Sequence, residues 1–224
     1  MRAQGRRLTV VSPVKNIAAH WDEVWQEPAS AKSWYQDRPA VSLDLLGCGS
    51  GHRGSLVDVG GGASTLVDHL LDDGWPDLVV VDVAVGALEA AQRRLGRRAD
   101  TVQWVEADVT TWQPARSFDW WHDRAVFHFQ TPPESQHAYL ATLERALAPT
   151  GHAVLATFAD DGPEQCSGLA TMRFDEATLT ATVSPVLEPI RFVRETHTTP
   201  SGAAQSFLYG LFRRPNPEPS PKEP

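Results

Sequence analysis

The groups in this chain best suited to chemistry are concentrated in one stretch, Phe118-Asp119-Trp120-Trp121-His122-Asp123-Arg124-Ala125-Val126-Phe127-His128-Phe129. An apolar and aromatic run breaks there into a His-Asp-Arg cluster, with a second histidine close behind. Histidine exchanges protons near neutral pH, so His122 or His128 can serve as a base, and the Arg124 guanidinium can steady an anionic nucleophile such as a thiolate or carboxylate. The competing reading is an Asp123–Arg124 ion pair that ties the loop, with His128 packed on the following helix. Three further acids, Asp58, Asp82 and Asp108, stand at or just beyond the ends of successive apolar runs. Any one of them can be a surface carboxylate or a helix cap. Their regular placement is the informative part, because open α/β sheets bind ligands outside the carboxyl ends of their strands.

The elements that must position these groups follow from the spacing. Leu56-Val57-Asp58-Val59 reads as a strand, Gly60-Gly61-Gly62 as a turn, and Leu66 to Leu71 as a helix stopped by Gly74 and Pro76. Glycines there permit positive φ and close approach of a ligand to bare backbone, and the helix that follows opens with unpaired N–H donors. In a dinucleotide fingerprint counted from Gly60 the third glycine falls at Thr65, so the nicotinamide-cofactor pattern fails. Asp82 closes the next strand about twenty residues on, where a doubly wound fold hydrogen-bonds a ribose. An earlier candidate turn, Leu43-Asp44-Leu45-Leu46-Gly47-Cys48-Gly49-Ser50-Gly51, leaves no room for a crossover helix and reads as a flexible loop over 47–55.

The segment Val57 to Thr65 resembles motif I of the class I S-adenosylmethionine-dependent methyltransferases, whose acid and glycine turn face the methionine part of the cofactor. The resemblance covers about residues 18–213 and rests also on Asp82, Asp108 and Phe118 to Phe129. It implies an α/β fold: a Rossmann-like, seven-stranded, mostly parallel sheet with helices on both faces and an antiparallel C-terminal hairpin. It implies S-adenosyl-L-methionine as cofactor, held by Asp58, Gly60, Gly61, Gly62, Asp82, Val83, Asp108 and Val109, with Trp34 and Arg124 beside it. Asp108 would accept the adenine amino group. In many such enzymes the N-terminal segment is a lid, so Trp34 or Tyr35 would lie against the methyl donor; plain core packing is the alternative. Trp21 and Trp25, one helical turn apart, most simply pack a helix on the sheet.

The Asp123-Arg124 pair looks like the fourth-strand end of the thiopurine-methyltransferase type, which carries Trp-Asp-Arg-Gly. Here Trp121-His122 precede the pair and Ala125 follows, so the substrate does not carry across. The Asn/Asp-Pro-Pro-Tyr motif of amino-methylating DNA and glutamine enzymes is absent. Methyl transfer from a sulfonium is an in-line displacement that gains most from alignment in a dry pocket, and it needs a base only if the nucleophile arrives protonated. The catalytic candidates are His122, Asp123, Arg124 and His128. Trp34, Tyr35, Phe127, Cys166, Arg173 and His197 are the candidates for contact with a small-molecule acceptor, whose reacting atom can be sulfur, nitrogen or oxygen. No metal site is expected. The alternatives are a protein-lysine methyltransferase, a non-catalytic cofactor-binding regulator and, disfavoured by Thr65 and Asp58, a nicotinamide oxidoreductase.

Later elements complete the plan: a helix over Glu134 to Ala148, a fifth strand His152 to Phe158, a loop Ala159 to Met172 overhanging the pocket, and a helix capped by Asp175. Strands Ile190 to Arg194 and Ser206 to Phe212, separated by Glu195 to Gly202, suit the closing hairpin. At 224 residues and 24.6 kDa the chain suits one domain over 17–213, with a mobile leader over 1–16 and a proline-rich disordered tail over 214–224. A net charge of −8 and a pI near 5.4 argue against a general nucleic-acid or membrane-surface binder. Two cysteines make no disulfide framework, and no apolar run spans a bilayer. The expectation is a cytoplasmic monomer or weak dimer.

Overall fold

The computed structural model describes residues 17–26, 28–47 and 53–215. The expected leader, the central part of the early glycine loop and all but the first two residues of the tail lie outside the described residues.

Five parallel strands form the heart of the sheet: β1 (Ser55–Val59), β2 (Asp77–Asp82), β3 (Val102–Glu106), β4 (Phe118–Arg124) and β5 (Leu147–Ala159). Two-residue strands follow as β6 (Gln165–Cys166), β7 (Leu169–Ala170) and β8 (Arg173–Phe174), then the long β9 (Glu188–Thr198) and β10 (Ala204–Arg213). The order is β3-β2-β1-β4-β5-β10-β9, with β10 antiparallel to both of its neighbours. The expected seven-stranded sheet with its antiparallel C-terminal pair is therefore observed, extended by β8 against the end of β5, while β6 and β7 pair separately.

Side-chain alternation sorts the strands between two cores. Val57, Val79, Trp121 and Leu155 face α5 (Pro133–Ala146) and α6 (Glu176–Val183). Leu56, Leu78, Val80 and Val154 face α2 (Ala40–Leu45), α3 (Leu66–Asp72) and α4 (Val85–Leu95). The N-terminal α1 (Ile17–Val24) has no fully buried residue. Asp175 caps α6 as expected, accepting from the Thr178 N–H at 2.7 Å. Two boundaries differ from the sequence reading. Helix α5 stops at Ala146, and β5 runs back through Pro149 to Leu147, which pairs with Phe118 across a register shift. Strand β9 reaches Thr198, so Glu195 to Thr198 are paired with β10 and the turn shrinks to the residues after Thr198. No helix among the described residues is long and apolar enough to cross a membrane.

The chain runs outward from β1 through β2 to β3 and returns to place β4 on the other side of β1. That reversal opens a crevice beyond the carboxyl ends of β1 and β4, where a doubly wound sheet binds ligands.

Candidate active site

Register places Asp58 of β1 directly beside His122 of β4. The Asp58 carboxylate accepts from His122 Nδ1 at 2.7 Å, and His122 Nε2 meets the Ser42 hydroxyl of α2 at 2.9 Å; all three residues are at most 3% exposed. Two residues further along the same face, Arg124 is heavily used. Its Nε donates to the Tyr209 hydroxyl and its Nη1 to the Trp34 carbonyl, each at 2.8 Å, and the guanidinium lies 4.5 Å over the Phe207 ring. Nη2 is buried without a hydrogen-bond partner. Tyr209 in turn donates to Glu195 at 2.8 Å, and burial pushes its phenol up to about 12.

The glycine turn follows β1. Gly60 has φ +64°, and a Cβ there would sit 2.0 Å from Val126; a Cβ on Gly61 would sit 2.5 Å from Asp58 Oδ2. Bare backbone is thus obligatory at the mouth of the crevice. Gly62, with φ +44°, is closed in by Asp82 and Trp25, which a Cβ there would approach to 2.9 and 3.2 Å, and it is not itself part of the cleft lining. Asp82 accepts from the Ala84 N–H at 2.8 Å. Burial first, then repulsion from Asp58, lifts its carboxyl to about 7 against the pull of the Ala84, Val83 and Gly62 amides. Asp108 accepts from the Thr110 N–H at 2.8 Å and from the Thr110 hydroxyl at 2.7 Å.

A cleft of about 460 Å³ unites these groups, within the usual range of small-molecule sites. Asp58, Gly60, Gly61, Asp82, Val83, Asp108, Val109, His122 and Arg124 line it, as do Trp34, Tyr35 and Cys166. Trp21 and Trp25 line it too, so the N-terminal segment covers the cleft as a lid would, while Trp34 also packs against the core. Trp34 packs edge to face against both of these tryptophans, with ring centroids 6.1 and 5.9 Å away, and Phe129 meets Trp21 at 5.2 Å. The lid is tied to the sheet. Thr65 donates to the Gln36 carbonyl at 2.8 Å, Gln36 Nε2 to Glu195 at 2.9 Å, and His197 Nε2 lies 2.8 Å from the Ser33 carbonyl. The β6–β7 pair supplies Cys166, Leu169 and Ala170 to the opposite wall, so the loop after β5 does overhang the cleft.

The remaining candidates lie off the cleft. Asp123 alternates to the other side of β4, fully buried, accepting from the Val126 and Phe127 amides at 2.8 and 2.9 Å and from the Tyr139 hydroxyl at 2.5 Å. It therefore forms no ion pair with Arg124, which faces the cleft. Phe127 is core, stacked on Phe174. His128 is fully buried beside Phe158, whose N–H donates to its Nδ1 at 3.3 Å; burial, and then the Arg124 charge, push it down to about 3. Arg173 is on the surface, 3.0 Å from Glu164, and His197 holds the lid. Sequence reasoning missed Ser42, Glu195 and Tyr209, which sit in no motif and reach the site only through tertiary contact. Gln36 closes the stretch Ser33-Trp34-Tyr35-Gln36 and was passed over beside Trp34 and Tyr35.

Residues 56–151 match the family model described as a methyltransferase domain. Among solved structures, the N-methyltransferase NodS of Bradyrhizobium japonicum, in complex with S-adenosyl-L-homocysteine, superimposes with a TM-score of 0.67 at 19% identity, over 87% of this chain and 98% of that one. The 1,6-didemethyltoxoflavin-N1-methyltransferase of Burkholderia thailandensis, with its bound substrate and S-adenosylhomocysteine, gives 0.65 at 22%, over 89% and 84%. The glycopeptide N-methyltransferase MtfA, also with S-adenosylhomocysteine, gives 0.62 at 12%, over 82% and 92%. At these identities the likeness shows the fold. No curated protein matches the chain.

Proposed function

We propose that this chain, a class I S-adenosylmethionine-dependent methyltransferase by its family domain and fold, transfers the methyl group to a small-molecule acceptor enclosed beneath the tryptophan lid. Residues 17–213 are read as one methyltransferase domain. The observation that carries the proposal is Asp82, a buried carboxyl lifted to about 7, with no cation beside it among the described residues, facing the cleft next to the glycine turn. Such a group calls for hydroxyl donors, and a ribose diol supplies them. Asp108 and Val109 lie at the next strand end, suited to an adenine, and the bare backbone at Gly60 and Gly61 admits the rest of the cofactor.

S-adenosylmethionine supplies an activated methyl on a sulfonium. The chain's part is alignment and exclusion of water, which the aromatic lid is built to perform. Arg124 brings a guanidinium with one unpartnered nitrogen to the cleft, suited to an anionic group on the acceptor. Neither histidine offers a free nitrogen to the cleft: both nitrogens of His122 are engaged, and His128 lies outside it. This favours an acceptor whose reacting atom needs no proton removed by the protein at neutral pH. The B. thailandensis enzyme, solved with 1,6-didemethyltoxoflavin and S-adenosylhomocysteine bound, is a small-molecule precedent on this fold.

Titration calorimetry with S-adenosylhomocysteine, with NADH in parallel, tests the cofactor. Micromolar binding of the first alone is expected, and binding of NADH alone overturns the reading. Incubation with methyl-labelled S-adenosylmethionine and a cell extract, then ultrafiltration, tests the acceptor: label is expected in the small-molecule fraction, and label in the macromolecular fraction overturns that assignment.

A further inference from the structure

Three side chains from distant parts of the chain meet under the glycine turn. Asp58 and His122 are 64 residues apart and His122 and Ser42 are 80 apart, yet they form one buried hydrogen-bonded line from α2 through β4 to β1. We infer that Ser42 and His122 are positioning residues for Asp58: Ser42 fixes the imidazole, and the imidazole fixes the carboxylate toward the glycine turn. The inference rests on the cofactor reading above and goes beyond it by giving His122 a geometric task in place of a proton-accepting one.

The chemistry of each group carries the argument. An ionised carboxylate only accepts, so the bond to Asp58 places a proton on His122 Nδ1 and fixes the ring's orientation. The remaining nitrogen, Nε2, then needs a partner inside the protein, because a buried polar atom without one is costly. A serine hydroxyl both donates and accepts, so Ser42 satisfies Nε2 whichever protonation state the ring holds. Ser42 is 0% exposed on a helix whose neighbouring Leu43 and Leu45 pack in the core, at the edge of the cleft, and its hydroxyl is spent on His122. With Oδ1 of Asp58 held by His122, the other oxygen lies where any side chain at residue 61 would collide with it, 2.5 Å from the position of a Cβ. The carboxylate is thus aimed at the turn by a chain of contacts and has little freedom to swing away.

Two substitutions divide the two arms of His122. In His122→Asn the amide nitrogen falls near the place of Nδ1, keeping the bond to Asp58 and losing Ser42. In His122→Gln it falls near the place of Nε2, keeping Ser42 and losing Asp58. Affinity for S-adenosylhomocysteine is measured by calorimetry alongside the melting temperature of the ligand-free protein. The expected result is that His122→Asn weakens binding about three- to tenfold, by losing the Ser42 arm alone, while His122→Gln weakens it by more than that, about tenfold or more, the size of losing a bond to a charged group. Ser42→Ala, which removes one oxygen and carries the test if His122→Gln does not fold, weakens binding about three- to tenfold. In the His122→Gln background Ser42→Ala adds no further loss, the non-additivity of groups acting in series. Wild-type affinity in Ser42→Ala and His122→Gln, even with lowered melting temperatures, overturns the inference and reduces the line to packing. Failure of the wild-type protein itself to bind S-adenosylhomocysteine overturns the cofactor reading, a separate outcome.

Discussion

Strand β4 shows two faces with opposite characters, though they share a backbone. On the cleft face, His122 and Arg124 reach toward ligand space and Arg124 keeps one nitrogen without a partner. On the other face, Asp123 lies in a closed set: two backbone amides and the Tyr139 hydroxyl serve the carboxylate, and Trp121 Nε1 donates to Tyr139 at 2.9 Å. A polar group whose bonding is complete inside the protein holds the fold, whereas one left incomplete beside a cavity is available to a ligand. By that standard the neighbours Asp123 and Arg124, paired in the sequence reading as a catalytic or ionic couple, do different jobs.

The largest expected effect is on the closed face. Asp123→Ala orphans the Val126 and Phe127 amides and the Tyr139 hydroxyl donor, and is expected to cost about 3–5 kcal/mol, counted from lost bonds to a buried acceptor. Thermal unfolding should show a fall of about 10 °C or more, on the scale of a domain this size. Folded Asp123→Ala, at a temperature where it survives, should bind S-adenosylhomocysteine within about threefold of wild type. A loss of affinity with unchanged melting would break the contrast between the faces.

On the cleft side, Asp82→Ala is expected to weaken S-adenosylhomocysteine binding about 100-fold, or about 2.7 kcal/mol, with a smaller effect on melting. Its pH dependence sharpens the point. In the free protein the carboxyl is lifted to about 7, so below that pH it is largely neutral and a poorer acceptor for hydroxyl groups. Donors from a ligand favour the ionised form, so binding releases a proton and should tighten as pH rises through about 7. Calorimetry at pH values on either side should show this in wild type and not in Asp82→Asn. A flat profile in wild type would remove Asp82 from ligand contact.

Much of this was legible in the sequence. The acids at three strand ends, the glycine turn and the closing hairpin lie within local stretches whose period and spacing carry the signal, and the structure places Asp58, Asp82 and Asp108 around one cleft. The two faces of β4 were legible too: a period of two sends residue 123 opposite to 122 and 124, a signal that the His-Asp-Arg cluster obscured. The lid reading of Trp21 and Trp25 was not legible, because helical spacing gives a buried stripe the same pattern whether it covers a sheet or a ligand. Ser42, Glu195 and Tyr209 were beyond reach. They enter through α2 and the β9–β10 pair, and only the folded register brings them to His122 and Arg124.

A smaller effect tests how closed the lower face is. Tyr139→Phe removes one donor to Asp123 and the acceptor for Trp121 while keeping the ring against Phe127. The expected loss is about 1–2 kcal/mol in denaturant unfolding, with ligand affinity unchanged. Because the Tyr139 hydroxyl helps to hold the Asp123 carboxyl down against a burial effect that lifts it to about 6, the variant should lift it further. Below about 6 the carboxyl is protonated in both native proteins, and above it wild type releases the proton before the variant does, so the cost of the substitution should grow as pH rises from about 6 toward neutrality and above.

The smallest effect lies where the two faces meet. Ala125 follows Arg124 with φ +75°, a conformation that costs a side-chain-bearing residue energy, and its N–H is committed to the Ala156 carbonyl at 2.8 Å. The turn is needed because the chain must leave the strand with Arg124 aimed into the cleft and Val126 and Phe127 folded back onto Asp123. Glycine would adopt this φ without strain, and that relief exceeds its greater freedom in the unfolded chain. Ala125→Gly is therefore expected to raise stability by about 0.5–1 kcal/mol. If Ala125 serves only as the joint between the faces, S-adenosylhomocysteine affinity should stay level as the melting temperature rises. A fall in affinity alongside the gain in stability would mean that the alanine methyl, which lines the cleft, holds the cleft face in shape and that the strain serves binding.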